Sequence, residues 1–403
     1  MSVQRKQHKF WINEAEAITA SMFILIVIGS INISSASLIT AYTDFDDPYF
    51  FLVRHLISFI AGLIAFILAS RFFNYQKLKS PIVMIALILS TIFLLGLVLA
   101  IGITVNGSQR WLPLGFMQFQ PSEIAKIVTI IISANYLGRC MDLNIVITMN
   151  PLKNLTFIFC IIIAVMVELQ PDMGTAVIIL GIPIIMYFIA GLPKNWILSI
   201  IGLGIAVFIF LVTFQPYRLE RLNSWYDPWA LAQNEGYQIV QSILAIGSGG
   251  FSGMGLGHGF SKYSYLPESH TDFAFAVFCQ ENGFIGVFII FVILMVMLFY
   301  CIKIAMYTKD NFGKMLVCGI TMLIVCQAVG NLAMVIGLVP VVGVPLPFIS
   351  YGGTSLILNM MSIGLILNVA SHNKQQSKKT RLTKSAPIKT KKTAQRPSLY
   401  RVK

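Results

Sequence analysis

The chain has 403 residues, of which 57% are hydrophobic and 11% charged, with a mean hydropathy of +0.79 and a formal net charge of +13. Soluble domains are about a quarter charged, so a soluble globular fold is excluded. Apolar runs of about 20 residues recur, each long enough to cross a hydrocarbon core of roughly 30 Å; a membrane β-barrel would show short alternating segments instead. The composition predicts an all-α polytopic membrane protein.

Residues 1–16 are polar and basic, and no small-residue cleavage site follows a short apolar core, so the first apolar segment is expected to remain as an anchor. Ten spans are predicted, at about 17–40, 51–72, 81–103, 122–138, 154–170, 174–192, 195–214, 272–302, 313–338 and 349–370. With the N-terminus inside, all 29 Lys and Arg residues except Arg54, Arg110, Lys126, Arg218, Arg221 and Lys262 fall in cytoplasmic segments, as the positive-inside rule requires. The acids run the other way: Asp44, Asp46, Asp47, Asp172, Asp227, Glu235, Glu268 and Asp272 fall at or beyond the outer face. Both ends are expected inside. The longest loop, about 215–271 between spans seven and eight, is expected outside.

Along the chain, the first outer segment rich in polar residues is "NGSQRWLPLGFMQFQPSEIAK", 106–126. Gly and Pro shape it as a turn, and Arg110 stands beside the interfacial aromatic Trp111. Glu123 and Lys126 lie three apart on one helix face, where they can pair. They either neutralise each other at a helix start or serve function, the default for intramembrane ionisable residues. "ELQPDMGTA", 168–176, is a short outer turn in which Asp172 can cap the next helix. In the long loop, "GYQIVQSILAIGSGG" places Ile239, Val240, Ile243, Leu244 and Ile246 at helical spacing before stopping glycines, which predicts an interfacial helix over 237–247.

"YLPESHTDFAFAVF", 265–278, sets Glu268, His270 and Asp272 directly ahead of an apolar helix. Thr271 or Asp272 is a good N-cap for it. A cap does not require Glu268, His270 and Lys262 within ten residues, however. A partly desolvated carboxylate near other ionisable groups is where pKa values shift and proton transfer becomes possible. "PLPFIS" and "YGGTS" then lead into the last span; the glycines suit close helix packing, and Ser350, Thr354 and Ser355 suit packing or ligand contact.

The six cysteines lie in or beside apolar segments, with no CxxC pair and no disulfide framework. No metal-ligand cluster stands out. The tail after Asn373 is rich in Lys and Arg and reads as disordered. In a membrane protein it suits anionic lipid at the cytoplasmic face and not nucleic acid. The chain thus divides into a cytoplasmic N-terminus (1–16), a membrane domain (17–370) and a basic cytoplasmic tail (371–403).

Five ordered motifs, "GSQRWLPLG...FQPSEIAK", "QPDMGTA", "GYQIVQSILAIGSGG", "LPESHTDFAFAV" and "PLPFISYGGTS", resemble the SEDS family (shape, elongation, division and sporulation) over residues 17–370. The resemblance implies ten spans, both ends cytoplasmic and one long outer loop. It implies a peptidoglycan glycosyltransferase of the bacterial cytoplasmic membrane that polymerises lipid II, works with a class B penicillin-binding transpeptidase and other division proteins, and releases undecaprenyl pyrophosphate. The family's essential Asp falls on Asp272, as general base for the acceptor sugar's 4-hydroxyl. Arg110, Lys126 and Lys262 become candidates to offset the pyrophosphate charge. Glu123, Glu268, His270 and Ser350 join the candidate substrate-binding set. The resemblance leaves room for a divalent cation, Mg or Mn, although no ligand cluster marks one. Gln109 stands where the family usually has a basic residue, and only Glu281 remains of an acidic pair. "DDPYFFLVRH" and "YRLERLNSWYDPW" look like the division branch at the septum, "GLVPVVGVPLPFISYGGTS" like the elongation branch. A lipid II flippase and a division scaffold remain alternatives, but a transporter should place its ionisable groups near the midplane.

Overall fold

The computed structural model describes residues 13–385 apart from 106–107, 114–117, 151–153, 214–215 and 264. A helix occupies each of the ten expected ranges: α1 (Glu14–Phe45), α2 (Phe50–Ile67), α3 (Pro81–Ile101), α4 (Pro121–Leu143), α5 (Leu155–Glu168), α6 (Met173–Ile189), α7 (Asn195–Thr213), α10 (Ala274–Tyr307), α11 (Asn311–Val335) and α12 (Gly353–Ser385). Two further helices, α8 (Pro216–Tyr226) and α9 (Tyr237–Gly249), lie in the long loop. Seven helices, α1 to α4 and α10 to α12, are long and apolar enough to cross a membrane, while α5, α6 and the 198–207 stretch of α7 are shorter apolar helices. The protein is an integral membrane protein with a helical bundle.

Local sequence sets the helix starts. Asn13 and Glu16 close a capping box at α1. Proline opens α3 and α4, where its missing N–H costs nothing. α4 is buried along most of its length and packs against α11, α6 and α3. Its contact with α11 depends on Gly138, where a side chain would meet the Phe312 backbone at 2.9 Å. α3, by contrast, leaves Ile82, Ile85, Leu89 and Phe93 exposed, as a lipid-facing helix does.

The structure corrects the sequence reading in three places. The turn near 103–119 is a small antiparallel sheet, β1 (Ile103–Val105), β2 (Ser108–Pro113) and β3 (Gln118–Phe119), with β2 in the centre. Its Ile, Val and Trp side chains suit a pleated, half-buried surface. α10 is not continuous: Gly283, at φ 61° and ψ −165°, breaks it. α12 runs on to Ser385 into the tail expected to be disordered; Lys, Gln and Arg are good helix formers, and no Gly or Pro interrupts them there. The rest of that tail, 386–403, lies outside the described residues, as do residues 1–12 of the N-terminal segment.

Candidate active site

Asp272 stands in a tight turn just before α10. Glu268 adopts a left-handed backbone, φ 54°, and its carbonyl accepts from the N–H groups of Thr271 (3.2 Å) and Phe273 (3.1 Å). The Thr271 hydroxyl donates to Glu268 Oε2 at 2.5 Å. Phe273 is the N-cap residue of α10, with no side-chain cap bond. Neither Thr271 nor Asp272 therefore caps the helix. Among the described residues, no hydrogen bond or ion pair ties down the Asp272 carboxylate.

What surrounds that carboxylate comes from five other parts of the chain. Asn331, a polar residue inside apolar α11, donates to the Asp272 carbonyl (2.7 Å) and the Val344 carbonyl (2.8 Å), joining the turn to the 336–350 connection. A methyl group on Gly343 would sit 3.6 Å from Asp272 Oδ2 and 3.7 Å from Arg110 Nη1, so both groups flank the same bare glycine. Arg110, carried on β2, donates through Nη2 to the Pro171 carbonyl, and its Nη1 lies 3.7 Å from Asp172 Oδ1. Arg110 Nε is buried without a partner. Asp172 does cap α6, accepting from Thr175 N at 3.3 Å, and its other oxygen accepts from Gln120 Nε2 at 3.4 Å. Arg221 and Trp225 anchor α8 to the same connection, donating to the carbonyls of Val341 (2.8 Å) and Gly337 (3.0 Å).

This setting decides the protonation of Asp272. Burial pushes its carboxyl up to about 7, and the Glu268 charge pushes the same way. Arg110 pulls it back, Asp172 adds to the rise and Arg221 opposes it. A carboxylate titrating near neutrality suits a general base. His270 is shifted down by burial, partly offset by the charges of Glu268 and Asp44. Its ring lies 4.3 Å from Phe51 and 5.8 Å from Tyr351, and its carbonyl accepts from Tyr351 N at 3.0 Å.

The remaining expected site residues have structural partners. Glu123 and Lys126 form a buried ion pair at 2.7 Å on the first turns of α4. Lys262 is buried and donates to Glu281 Oε1 and Ser35 Oγ, both at 2.9 Å, so its ammonium is committed away from Asp272. Ser350 Oγ accepts from Leu346 N at 3.0 Å and holds a turn. Gln109, the departure beside Arg110, donates to the Gly102 carbonyl at 2.9 Å. Sequence reasoning did not single out Arg221 or Asn331, and assigned Asp172 only its cap. A cation at the outer face and an amide within an apolar span were the signals available. Among the described residues, no three His, Cys, Asp or Glu side chains gather as a metal site.

Known proteins resemble this chain along most of its length. A family model described as "Cell cycle protein" (FtsW, RodA, SpoVE) matches residues 16–375. The stage V sporulation protein E of Bacillus subtilis (strain 168) is 36% identical over 355 residues, covering 87% of this chain and 95% of that protein. A probable peptidoglycan glycosyltransferase FtsW of Geobacter sp. (strain M18) is 39% identical over 352 residues, covering 86% and 94%. Among solved structures, a chain of a peptidoglycan synthase complex, described as coordinating polymerization and crosslinking, matches with TM-score 0.72 and 26% identity over 89% of this chain and 98% of that one. RodA of Thermus thermophilus matches with TM-score 0.64 and 25% identity, over 88% and 96%. Motifs, fold and similarity along nearly the whole membrane domain lead to one conclusion: the chain belongs to the FtsW/RodA/SpoVE family of cell cycle proteins.

Proposed function

We propose that this protein is a peptidoglycan glycosyltransferase that polymerises lipid II at the outer face of the bacterial cytoplasmic membrane. The observation that carries the reading is the Asp272 carboxylate, engaged in no structural bond among the described residues and titrating near 7 beside Arg110. Asp272 takes the proton of the acceptor sugar's 4-hydroxyl. The freed oxygen attacks the anomeric carbon of the donor with inversion, and undecaprenyl pyrophosphate leaves with the electron pair of the broken bond. Arg110 and Arg221 offset the growing pyrophosphate charge, a form of electrostatic stabilisation worth most where water is excluded. Glu268 and His270 shape the base. The Glu123–Lys126 pair shapes the cavity wall at α4. No step is routed through a cation.

The ten helices cross the membrane with both termini inside and the 215–271 loop outside. The division role at the septum follows the FtsW names of several relatives; the RodA-type elongation role is the alternative. The partner is a class B penicillin-binding transpeptidase, by analogy with the synthase complex that the fold resembles. A flippase is disfavoured because the break in α10, the kind of feature transporters use, is filled here by loop backbone and flanked by a paired Lys262 and Glu281. Purified protein incubated with lipid II in detergent, with and without the transpeptidase, should yield glycan chains resolved on gels. Absence of polymer in both mixtures, with transport of lipid II in vesicles, would overturn the enzyme reading.

A further inference from the structure

α10 has 34 residues, or about 50 Å of helix, against a hydrocarbon core of roughly 30 Å. The uncharged run from Phe284 to Ile302 alone covers about 28 Å. The part before Gly283 is buried in protein from Ala274 to Glu281. Gly283 therefore marks the outer edge of the hydrocarbon.

Another stretch of the chain docks at that point. Met254 N and Gly255 N donate to the carbonyls of Gln280 and Glu281, both at 3.0 Å. In the reverse direction, Phe284 N and Ile285 N donate to the carbonyls of Gly250 (3.0 Å) and Phe251 (3.2 Å). The backbone groups freed by the break are thus satisfied by the loop, as lipid-depth backbone must be. Gly253, at φ 80°, allows the approach, since a side chain there would meet the Glu281 carbonyl at 2.2 Å. Behind the contact, Gln280 Oε1 accepts from Ser261 N (3.0 Å) and Ser261 Oγ (2.5 Å), and Lys262 pairs with Glu281.

The outer side of this loop is uncovered and carries large apolar side chains, with Ser252 and His258 also exposed. Phe251 is 71% exposed, Leu256 56% and Phe260 42%. The Phe251 ring stacks on Phe284 at 5.9 Å, so the patch continues into the lipid-facing stripe of α10 through exposed Phe288. Tyr263 and Tyr265, both exposed, follow directly, as residues at the edge of an interfacial aromatic belt do.

We propose that segment 250–260 is a wedge at the acyl–headgroup boundary of the outer leaflet, seated in the break of α10. The occupant of its apolar face is lipid, argued from its continuity with the exposed surface of α10. The wedge also fixes the height of the site. Asp272 stands beyond the buried helical stretch Ala274–Glu281, which is about 12 Å long, and this lifts it from the hydrocarbon edge to the level of a lipid-linked sugar. That consequence rests on the proposed function; the placement of the wedge does not.

The test places a nitroxide at position 251, and separately at 256, in a variant with the six native cysteines replaced, reconstituted in lipid bilayers. Label at Phe288 serves as the lipid reference and label at exposed Asn234 as the water reference. Collision with oxygen and with a water-soluble nickel chelate is measured at each site. Positions 251 and 256 should lie between the two references, with nickel collisions several-fold below those at 234. Nickel access equal to that at 234 would overturn the proposal. Low access to both reagents would mean that protein covers the patch, and would overturn it too. The readout is depth and not sidedness, so an inverted topology or an inactive enzyme would leave it unaffected.

Discussion

At Asp272, burial first, and then two carboxylates and two arginines, decide when the side chain can accept a proton. The base form is the ionised one, so activity should rise with pH through about 7. Glu268 raises the Asp272 value, and removing its charge must lower it. A Glu268→Gln variant should therefore move the acidic limb of the kcat/KM profile to lower pH, measured by lipid II polymerisation on both sides of neutrality; an unmoved limb would separate Glu268 from the base. Stability carries the matching sign. A carboxyl raised above its unfolded value of 3.8 contributes most at low pH, and the contribution is lost as pH rises through about 7. Asp272→Asn, which never ionises, should thus unfold at a temperature at or above wild type above neutral pH. Much of this site was legible in the sequence, because Glu268, His270 and Asp272 sit within five residues and Arg110 adjoins an interfacial tryptophan. Asp172, Arg221 and Asn331 were not, because only the folded 336–350 connection brings them to the same place.

Two elements carry buried ion pairs whose roles can be separated by exchange. Glu123 and Lys126 sit on α4, 5% and 2% exposed. Breaking a buried pair leaves one charge uncompensated, at about 3–5 kcal/mol. Single alanine variants should lose that much stability and most activity, whereas the exchange of the two residues should retain more of both. If the exchanged protein folds and is as inactive as the single variants, each residue has its own position-specific role. Lys262 and Glu281 tie the outer loop to α10, and Glu281→Gln should destabilise by a similar amount, with Lys262→Met/Glu281→Gln recovering most of it in thermal unfolding. Failure of the double variant to recover would show that the charges serve more than each other. The helices themselves were legible, since apolar runs and proline starts are local signals. The break in α10 was not, because Gly283 reads as an ordinary packing glycine until the 249–256 backbone is seen against it. The helical extension of α12 was masked by its basic, polar composition, which also suits a disordered tail.

At the scale of the whole molecule, charge asymmetry predicts which ends of the bundle face the cell interior. Single cysteines at Asn234 and Ser377 in a cysteine-free variant should label from opposite sides of the membrane, the first from outside. Labelling of both from outside would contradict the orientation. With that orientation, the arginines, Asp272 and the turn that presents it form the outer floor of the bundle, where a lipid-linked sugar meets water. The most direct test is lipid II polymerisation by wild type and Asp272→Asn, compared at matched thermal stability. Asn is nearly isosteric but cannot take the proton as a carboxylate does, and a positioned general base contributes roughly 10²–10⁴-fold. The account predicts a loss of that size with transpeptidase binding intact; near-normal glycan synthesis by the Asn variant would contradict it.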